Sequence, residues 1–480
     1  MPLKNNKIYR WIIIPICVAF SFFGRFIPPI SGLTSDAVGV ICIFFSVLVL
    51  WLTIGIDWPS LLCIASLAFL DNIGFSKAFT LSFGNSTFIF LLFTFVCTYA
   101  LSQTSLIKRI ALSFVDLKLA KRSAFCFVCL FLTGVLVLGL FISPSVLFVI
   151  ILPILNEILF LAGIEKGDKL GKIMMIGLGF TVSLSSGMTT IAHVFPILAM
   201  NAANLKDITP LEYMGFAIPT GLVIFILMLL VFYISIRKEK NRFSIVDVKS
   251  IKNELPNFNK KDIFTLVIFV IVILLWIIPS IFKGVSPSFY NTINKYGTAM
   301  PPLLGCLALC IIRVDNEPII KIEKAFKEGV PWSSLIMCAS TLLLGSAMTN
   351  SDIGLNTFIQ NSLSHGLSSL SPFILLSIFT IWAALQTNVS SNMVTATLVA
   401  SVAASVLIAD SSSFAPIICI IGFMASLAFA TPPSMPHIAI VAGSEYCSTK
   451  DVLFYGLIVM LISIVSAICV GYPLGLLILK

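Results

Sequence analysis

The chain of 480 residues is 58% hydrophobic and 11% charged, and its mean hydropathy is +1.07. A soluble domain cannot bury that much apolar surface, so the composition excludes soluble proteins and predicts an all-α polytopic membrane protein surrounded by a lipid bilayer. The net charge of +9 lies in short loops between apolar runs, as the positive-inside rule predicts, and this argues against a nucleic acid partner.

The first half of the chain contains one long apolar segment with basic residues at both ends. An N-terminal tail and first span (1–37, apolar over 11–27) precede apolar runs at 38–56, 58–70 and 84–103. The segment 125–160 begins and ends at basic loops and is short for two spans of about 20 residues each. We therefore predict a re-entrant hairpin at 125–160, then a broken helix at 173–200 and a final span at 213–236.

A hydrophilic stretch with eight Lys and Arg residues, 237–261, separates the halves and is interpreted as a basic cytoplasmic linker. The second half (262–480) repeats the plan of the first (38–236). It has spans at 262–282, 297–313 and 331–349, a hairpin at 371–409, a broken helix at 414–441 and a last span at 452–478. The prediction is about 11 transmembrane helices plus two re-entrant hairpins.

The basic residues also predict the orientation. With the N-terminus in the cytoplasm and the C-terminus outside, six of the 30 Lys and Arg residues lie outside: Arg25, Lys77, Lys206, Lys283, Lys295 and Lys480. The second hairpin then enters from the side opposite to the first. We expect a multi-pass protein of the plasma membrane or a bacterial inner membrane.

Each predicted hairpin has a polar island at its centre that has the pattern of a helix start. Ser143 suits an N-cap with Pro144 at the first helical position, and Ser391 or Asn392 can cap likewise. A helix that begins inside a membrane directs unpaired N–H groups at protein, water or a bound anion. Because the hairpins enter from opposite sides, the halves are predicted to be inverted repeats, which favours a transporter with a midplane site between the islands.

Side chains near the islands and the breaks offer ligands for an anion and for a cation. Donors for a small anion are Ser143, Ser145, Ser391, Asn392 and Thr395. Oxygen atoms for a cation such as Na⁺ come from Ser183, Ser185, Ser186, Gly187 and Thr190 in the first half, and from Thr431, Pro432 and Pro433 with Asn388 in the second. His193 and His437 lie in the two breaks, where each could contact an anion, titrate or cap a freed carbonyl.

Four motifs in order resemble the divalent anion/sodium symporter family, which contains dicarboxylate, citrate and sulfate transporters. Ser391-Asn392-Met393 resembles the family's Ser-Asn-Thr signature at the second hairpin tip, and Ala430-Thr431-Pro432-Pro433 resembles its Thr-Pro-Pro break. Ser143-Pro144-Ser145 resembles the first signature with Pro in place of Asn. Gly187-Met188-Thr189-Thr190 resembles the first break, with Val194-Phe195-Pro196-Ile197 in place of Thr-Pro-Pro-Asn.

The resemblance implies a homodimer with scaffold and transport domains that works by elevator-type alternating access. It also implies symport of sodium with a small di- or multivalent anion. The implied substrate contacts are Ser143, Pro144, Ser145, Ser391, Asn392, Met393, Thr395, Thr431 and Pro432. The implied first sodium site is Ser143, Ser183, Ser186, Gly187 and Thr190, and the second is Asn388, Ser391, Ala430, Thr431 and Pro433.

Other functions stay open from the residues alone. A related anion transporter or exchanger could use proton coupling or no sodium, although exchangers usually carry a buried carboxylate near a break and the predicted core has almost none. A channel or a non-transporting receptor would lack saturable, sodium-dependent uptake. An enzyme has the least support, because the spans hold no metal-ligand cluster and no nucleophile–base pair.

Overall fold

The computed structural model describes residues 7–29, 33–205, 208–246, 259–281, 299–355, 370–389, 392–407, 411–431 and 434–479, with 251, 255, 286, 288, 295–297 and 358 between them. The described residues are mostly helical. Three predicted site residues lie outside the described residues, namely Ser391, Pro432 and Pro433.

The first half forms eleven helices within the described residues. They are α1 Lys7–Phe23, α2 Ser35–Thr53, α3 Asp57–Ala68, α4 Gly74–Leu81, α5 Ser86–Ser102, α6 Leu106–Val115, α7 Ala124–Gly139, α8 Pro144–Leu161, α9 Lys169–Gly187, α10 Phe195–Ala202 and α11 Pro210–Ile236. Short 3₁₀ turns occur at Gly24–Phe26, Lys118–Lys121 and Arg242–Ile245. The predicted hairpin at 125–160 thus corresponds to α7 and α8, and the predicted break at 173–200 to α9 and α10.

The second half begins with α12 Lys260–Ile281 and α13 Met300–Ile311, followed by two antiparallel strands, β1 Arg313–Val314 and β2 Glu317–Pro318. A helical turn, Ile322–Lys324, continues into a π turn, Ala325–Gly329. The remaining helices are α14 Trp332–Thr349, α15 Pro372–Val389, α16 Asn392–Val406, α17 Phe414–Ala425, α18 Pro436–Ala442, α19 Thr449–Ser466 and, after a π turn at Ala467–Gly471, α20 Tyr472–Ile478.

Several helices begin at side chains that satisfy the first free N–H groups. Thr209 and Glu212 form a capping box at α11, and Ser448 and Asp451 form one at α19. Ser123 accepts from the backbone N–H of Cys126 at 3.0 Å at the start of α7. These starts follow from local sequence, because Ser and Thr hydroxyls are good acceptors for orphan N–H groups.

The helices are apolar enough for an integral membrane protein. Among the described residues, five helices are long and apolar enough to cross a bilayer: α8, α9, α11, α15 and the continuous run Thr449–Ile478. The pair α4 and α5, bent by 42°, could form one more span, and further apolar helices are shorter than a full span.

Two sets of helices pack mainly within themselves, and α6 and α10 contact both sets. In the scaffold group (α1–α5 and α12–α14), α14 packs on α3 and α13 packs on α5. In the tip group (α7–α9, α11 and α15–α20), α9 packs against α7, α8, α11, α17 and α18. Helix α9 lies at the centre of the tip group. Of its 18-residue apolar stretch 94% is buried, whereas the value for α11 is 39%. Helix α10 joins the groups by packing on α14, α16 and α17.

Ion pairs connect the linker to the start of α9, and the shortest among the described residues joins Arg242 to Asp168. Arg242 Nη1 donates to Asp168 Oδ2 at 2.8 Å, just before α9, and this guanidinium holds the pKa of Asp168 below its usual value. A carboxyl group with a lowered folded-state pKa stabilises the fold above its unfolded pKa, and this stabilisation is lost as the pH falls through the folded pKa.

We expect Arg242→Gln to remove less than about 1 kcal/mol at neutral pH, because both side chains are partly exposed. The difference from wild type should shrink as the pH falls below about 4. Melting temperatures of the purified protein at several pH values measure this. Lys238→Gln, an exposed linker residue, is the matched control. A difference that stays constant down to acid pH would contradict the role of the ion pair.

Glycine allows α19 to approach the non-helical segment between α17 and α18. A Cβ atom built on Gly456 would lie 2.5 Å from Ala430 Cα and 2.6 Å from Phe429 O, both backbone atoms. Backbone cannot move aside as a flexible side chain can, so this position requires glycine.

Gly456→Ala should therefore displace residues 426–431 and destabilise the protein by about 1–3 kcal/mol. Thermal melting of the detergent-solubilised protein tests this. At Gly443 the nearest atom to an added Cβ lies 3.4 Å away, so Gly443→Ala should melt like wild type. Equal melting temperatures of the Gly456 variant and wild type would contradict this, because they would show that the added methyl group is accommodated without loss of stability.

Candidate functional site

The first polar island is a gap between two helices, since α7 ends at Gly139 and α8 begins at Pro144. Ser143 occupies the N-cap position, and its carbonyl oxygen accepts from the backbone N–H of Leu147 at 2.9 Å. The Ser143 side chain makes no capping hydrogen bond, and Ser145 is exposed. Pro144 has the fixed φ that suits the first helical position but contributes no donor to the tip.

The first break is attached to this tip through Thr189 and to α11 through Tyr213. Helix α9 ends at Gly187, where the carbonyl oxygen accepts from the Tyr213 hydroxyl at 2.7 Å. In the non-helical segment that follows, Thr189 Oγ1 donates to the carbonyl oxygen of Leu140 at 2.8 Å and accepts from the backbone N–H of Ala192 at 3.2 Å. The carbonyl oxygens of Leu140 and Gly187 and the N–H group of Ala192 therefore each have a side-chain partner.

The second break is held by Asn388, near the end of α15. Its Oδ1 accepts from the backbone N–H groups of Phe429 at 2.8 Å and Ala430 at 2.7 Å, and its Nδ2 donates to Ala384 O at 2.8 Å. The Thr431 hydroxyl donates to the backbone carbonyl of Asn388. Loss of the amide would leave two buried N–H groups without acceptors, at about 1–3 kcal/mol each.

Thr387, beside Asn388, also contacts the break. Its hydroxyl donates at 2.7 Å to the carbonyl oxygen of Ala425, the last residue of α17. Tip and break thus form one hydrogen-bonded unit in the second half, as they do in the first.

The two units are related but unequal. Thr189 bonds the carbonyl of Leu140 in the first half, and Thr431 bonds that of Asn388 in the second. Leu140 precedes Ser143 by the same interval as Asn388 precedes Ser391. The hydrogen bond from threonine to a backbone carbonyl therefore occurs in both halves. The side chain differs, because the first half has Leu140 where the second half has the amide of Asn388.

Asn392, the first residue of α16, has a buried side-chain amide. Its side chain is 4% exposed, and neither Oδ1 nor Nδ2 has a hydrogen-bond partner among the described residues. Met393 and Thr395 on the same helix are also buried. A buried amide that makes no hydrogen bond is unfavourable by itself, so this position is suited to a ligand that supplies the missing partners.

A cavity of about 240 Å³, here called the tip cavity, lies at the first tip. Ser143, Pro144, Ser145 and His193 line it together with Tyr99 and Glu328 of the scaffold group and its π turn. Asn392 is not among the described residues that line it. The tip cavity therefore contains the first tip and part of the first break.

A second cavity of about 290 Å³, here called the Thr190 cavity, lies on another side of the same break. Thr190, Asn201 and Asn85 line it, and Thr190 Oγ1 and Asn201 Nδ2 are buried with no hydrogen-bond partner in the described part of the chain. The short segment between α9 and α10 therefore contributes His193 to one cavity and Thr190 to the other.

The residues implied for the first sodium site have different surroundings. Ser143 lines the tip cavity, and Thr190 lines the other. Ser183 Oγ lies 2.7 Å from His437 Nε2, and Ser186 Oγ donates to Ser183 O at 2.7 Å. Of the residues implied for the second site, Asn388, Ala430 and Thr431 are in direct contact.

The two histidines occupy different environments. His437, at the start of α18, is 1% exposed, bonds Ser183 of α9 and lies 5.7 Å from the Phe148 ring of α8. It thereby joins the broken helices of the two halves. His193 is half-buried, and its Nδ1 accepts from the backbone N–H of Val194 at 2.9 Å.

Sequence reasoning missed Thr387, Thr189, Tyr213 and Asn201 as members of the site. Thr189 lies within the motif quoted for the first break, and Thr387 directly precedes Asn388, so the local signal for both was their polarity beside predicted site residues. Tyr213 and Asn201 gave no local signal, because their roles depend on contacts that only the fold creates.

Comparison with known proteins fits this architecture. Residues 8–479 match a family model described as the sodium:sulfate symporter transmembrane region. The chain is 22% identical over 407 residues to the sodium-dependent dicarboxylate transporter SdcS of Staphylococcus saprophyticus, covering 81% of this chain and 76% of the relative. It is 25% identical over 409 residues to SdcS of Staphylococcus aureus, covering 81% and 76%.

A third relative is the sodium-dependent high-affinity dicarboxylate transporter 3 of Caenorhabditis elegans, 28% identical over 248 residues, which cover 48% of this chain and 43% of the relative. Because the family model spans almost the whole chain, and the helices are those of an integral membrane protein, this chain belongs to the divalent anion/sodium symporter family.

Proposed function

We propose that the protein is a secondary active transporter that couples sodium to the symport of a small di- or multivalent anion. A dicarboxylate is the first candidate, because the relatives are named for dicarboxylate transport, and citrate and sulfate are the next. The observation that carries the proposal is the unpartnered amide of Asn392 at the start of α16. An anion there accepts from Nδ2 and from the free N–H groups of the helix end.

Sodium binding is proposed for the second break. Na⁺ needs several oxygen ligands, and unwound backbone with Thr and Asn side chains supplies them. Asn388 and Thr431 hold this segment in one conformation, so its carbonyl groups are fixed before the ion arrives. A fixed cation next to Asn392 favours the binding of an anion, which provides the coupling.

The elevator mechanism and the homodimer are also proposals. The order of helices α14–α19 parallels that of α5 and α7–α11, with two tips and two breaks, which supports an inverted repeat. The tip group contains both tips, whereas the scaffold group contains neither. A movement of the tip group against a dimeric scaffold group would carry the site across the membrane, with the N-terminus cytoplasmic and the C-terminus outside.

One feature favours an alternative with reduced or absent sodium coupling. The first half carries Pro144 in place of a tip amide and Leu140 in place of a clamping amide. It therefore offers fewer oxygen ligands than the second half, and proton coupling or a single cation becomes the second candidate.

Purified protein in liposomes should take up radiolabelled succinate, citrate or sulfate when an inward Na⁺ gradient is imposed. The same gradient of K⁺ should support little uptake under the sodium-coupled proposal. Equal uptake with both ions would favour the alternative. Absence of uptake and of ligand-induced thermal stabilisation for all three anions, with well-folded protein, would reject the proposed substrate class.

Asn392→Ala should lower uptake at least about ten-fold, because a hydrogen bond to a charged ligand is lost. The melting temperature without substrate should stay the same or rise, since the variant removes two buried atoms that lack partners. Thr397→Val is the matched control, because the buried Thr397 hydroxyl already donates to Met393 O within α16. Normal uptake by Asn392→Ala would remove this residue from the site.

A further inference from the structure

We propose that His193 donates a hydrogen bond from Nε2 to the transported anion, and so replaces in the first half the donor that Asn392 supplies in the second. This inference rests on the proposed function and adds a specificity-determining residue to it. The first tip has no side-chain amide, because Pro144 stands at the start of α8 where α16 has Asn392.

The hydrogen bonds of the ring define its tautomer. His193 Nδ1 accepts from the backbone N–H of Val194 at 2.9 Å, and a ring nitrogen that accepts carries no proton. The neutral ring therefore has its proton on Nε2. Among the described residues the hydrogen bond of this ring is the one at Nδ1, and His193 lines the tip cavity. The centroid of the Phe195 ring lies 3.8 Å from that of His193, which restricts the orientation of the imidazole.

The surroundings of Nε2 suit an anion. The tip cavity also contains the hydroxyl-bearing residues Ser143 and Ser145 and the N-terminus of α8, an 18-residue helix whose first N–H groups favour negative charge. Glu328 supplies a carboxylate to the lining of the cavity, where it accepts from the Tyr99 hydroxyl at 2.5 Å and lies 3.9 Å from Lys324 Nζ, so its charge is partly balanced. At about 240 Å³ the cavity is below the ~300–1,000 Å³ of drug-sized sites, which fits a small metabolite.

His193 is also connected to the second tip. Helix α10 begins at Phe195, two residues after His193, and packs against α16, which begins at Asn392. A ligand that contacts His193 therefore acts on the helix next to the second tip. His193 and Asn392 therefore lie beside two helices that pack against each other, and they need not contact each other when no ligand is bound.

The chemistry of the ring also predicts specificity. An asparagine can donate to an anion or accept from a hydroxyl or a protonated carboxyl group. His193 in this tautomer presents only a donor to the cavity, because Nδ1 is occupied by Val194. The first half should therefore select a fully ionised carboxylate or sulfate oxygen and discriminate against a hydroxyl or amide at the same place.

Two conservative variants separate this role from a structural one. In His193→Asn, the side-chain oxygen can take the place of Nδ1 and accept from Val194, but the distal donor is lost. In His193→Gln, the side-chain nitrogen reaches the position of Nε2. We expect His193→Asn to raise the KM for succinate about ten-fold or more and to weaken succinate-induced thermal stabilisation, whereas His193→Gln stays close to wild type.

A second variant tests compensation between the break and the tip. Pro144→Asn introduces an amide at the first tip, and in the His193→Asn background it should restore the KM at least in part. If His193 only supports the backbone of Val194, the order of the single variants is reversed, with the Gln variant impaired and the Asn variant normal, and the inference is overturned. Equal KM and equal stabilisation in wild type and both variants overturn it as well.

The experiment distinguishes this inference from the proposed function. Wild-type protein that neither takes up nor is stabilised by succinate, citrate or sulfate rejects both. Wild-type uptake together with an unchanged His193→Asn variant rejects the role of His193 alone.

Discussion

The structure depends on how freed backbone groups are satisfied where helices stop inside an apolar protein. Hydrocarbon offers no hydrogen bonds, so every interrupted helix needs partners from elsewhere in the chain. Asn388 provides the strongest example, because one amide accepts from two backbone N–H groups of the second break and donates to its own helix. Thr387 and Thr431 complete this arrangement on either side.

This constraint explains why the tips and the breaks form fixed pairs. With its freed carbonyl and N–H groups bonded, a non-helical segment is as ordered as a helix, and ligand groups on it are positioned in advance. Asn392 is the exception in the second half, because its buried amide has no hydrogen-bond partner in the part of the chain that the structure describes. The residues that support the site thus have all their hydrogen bonds, whereas the residue that would contact the ligand has bonds still to make. Selective binding of a small anion requires this combination.

The sequence predicted helix starts well and long-range contacts poorly. Pro144 locks φ at a value suited to the first turn, and Asn392 follows a polar run, so both starts were readable locally. The breaks were signalled by hydroxyl-bearing residues around Gly187 and by the prolines near Ala430.

The pairing of Ser183 with His437 joins residues from opposite halves, and nothing local predicts which side chains will meet. Ser143 takes the N-cap position without its hydroxyl forming the cap. The number of spans, the domain boundaries and the roles of Ser391, Pro432 and Pro433 stay predictions.

The burial of α9 has a consequence for how the protein is made. This helix has a mean hydropathy of 1.3, against 2.7 for the run Thr449–Ile478, and it presents glycines and hydroxyls along its length. Such a segment partitions weakly into lipid when it leaves the insertion machinery as a single helix. Its stable residence in the bilayer depends on neighbours such as α7, α8 and α11, so this part of the protein must assemble as a unit during biogenesis and not helix by helix.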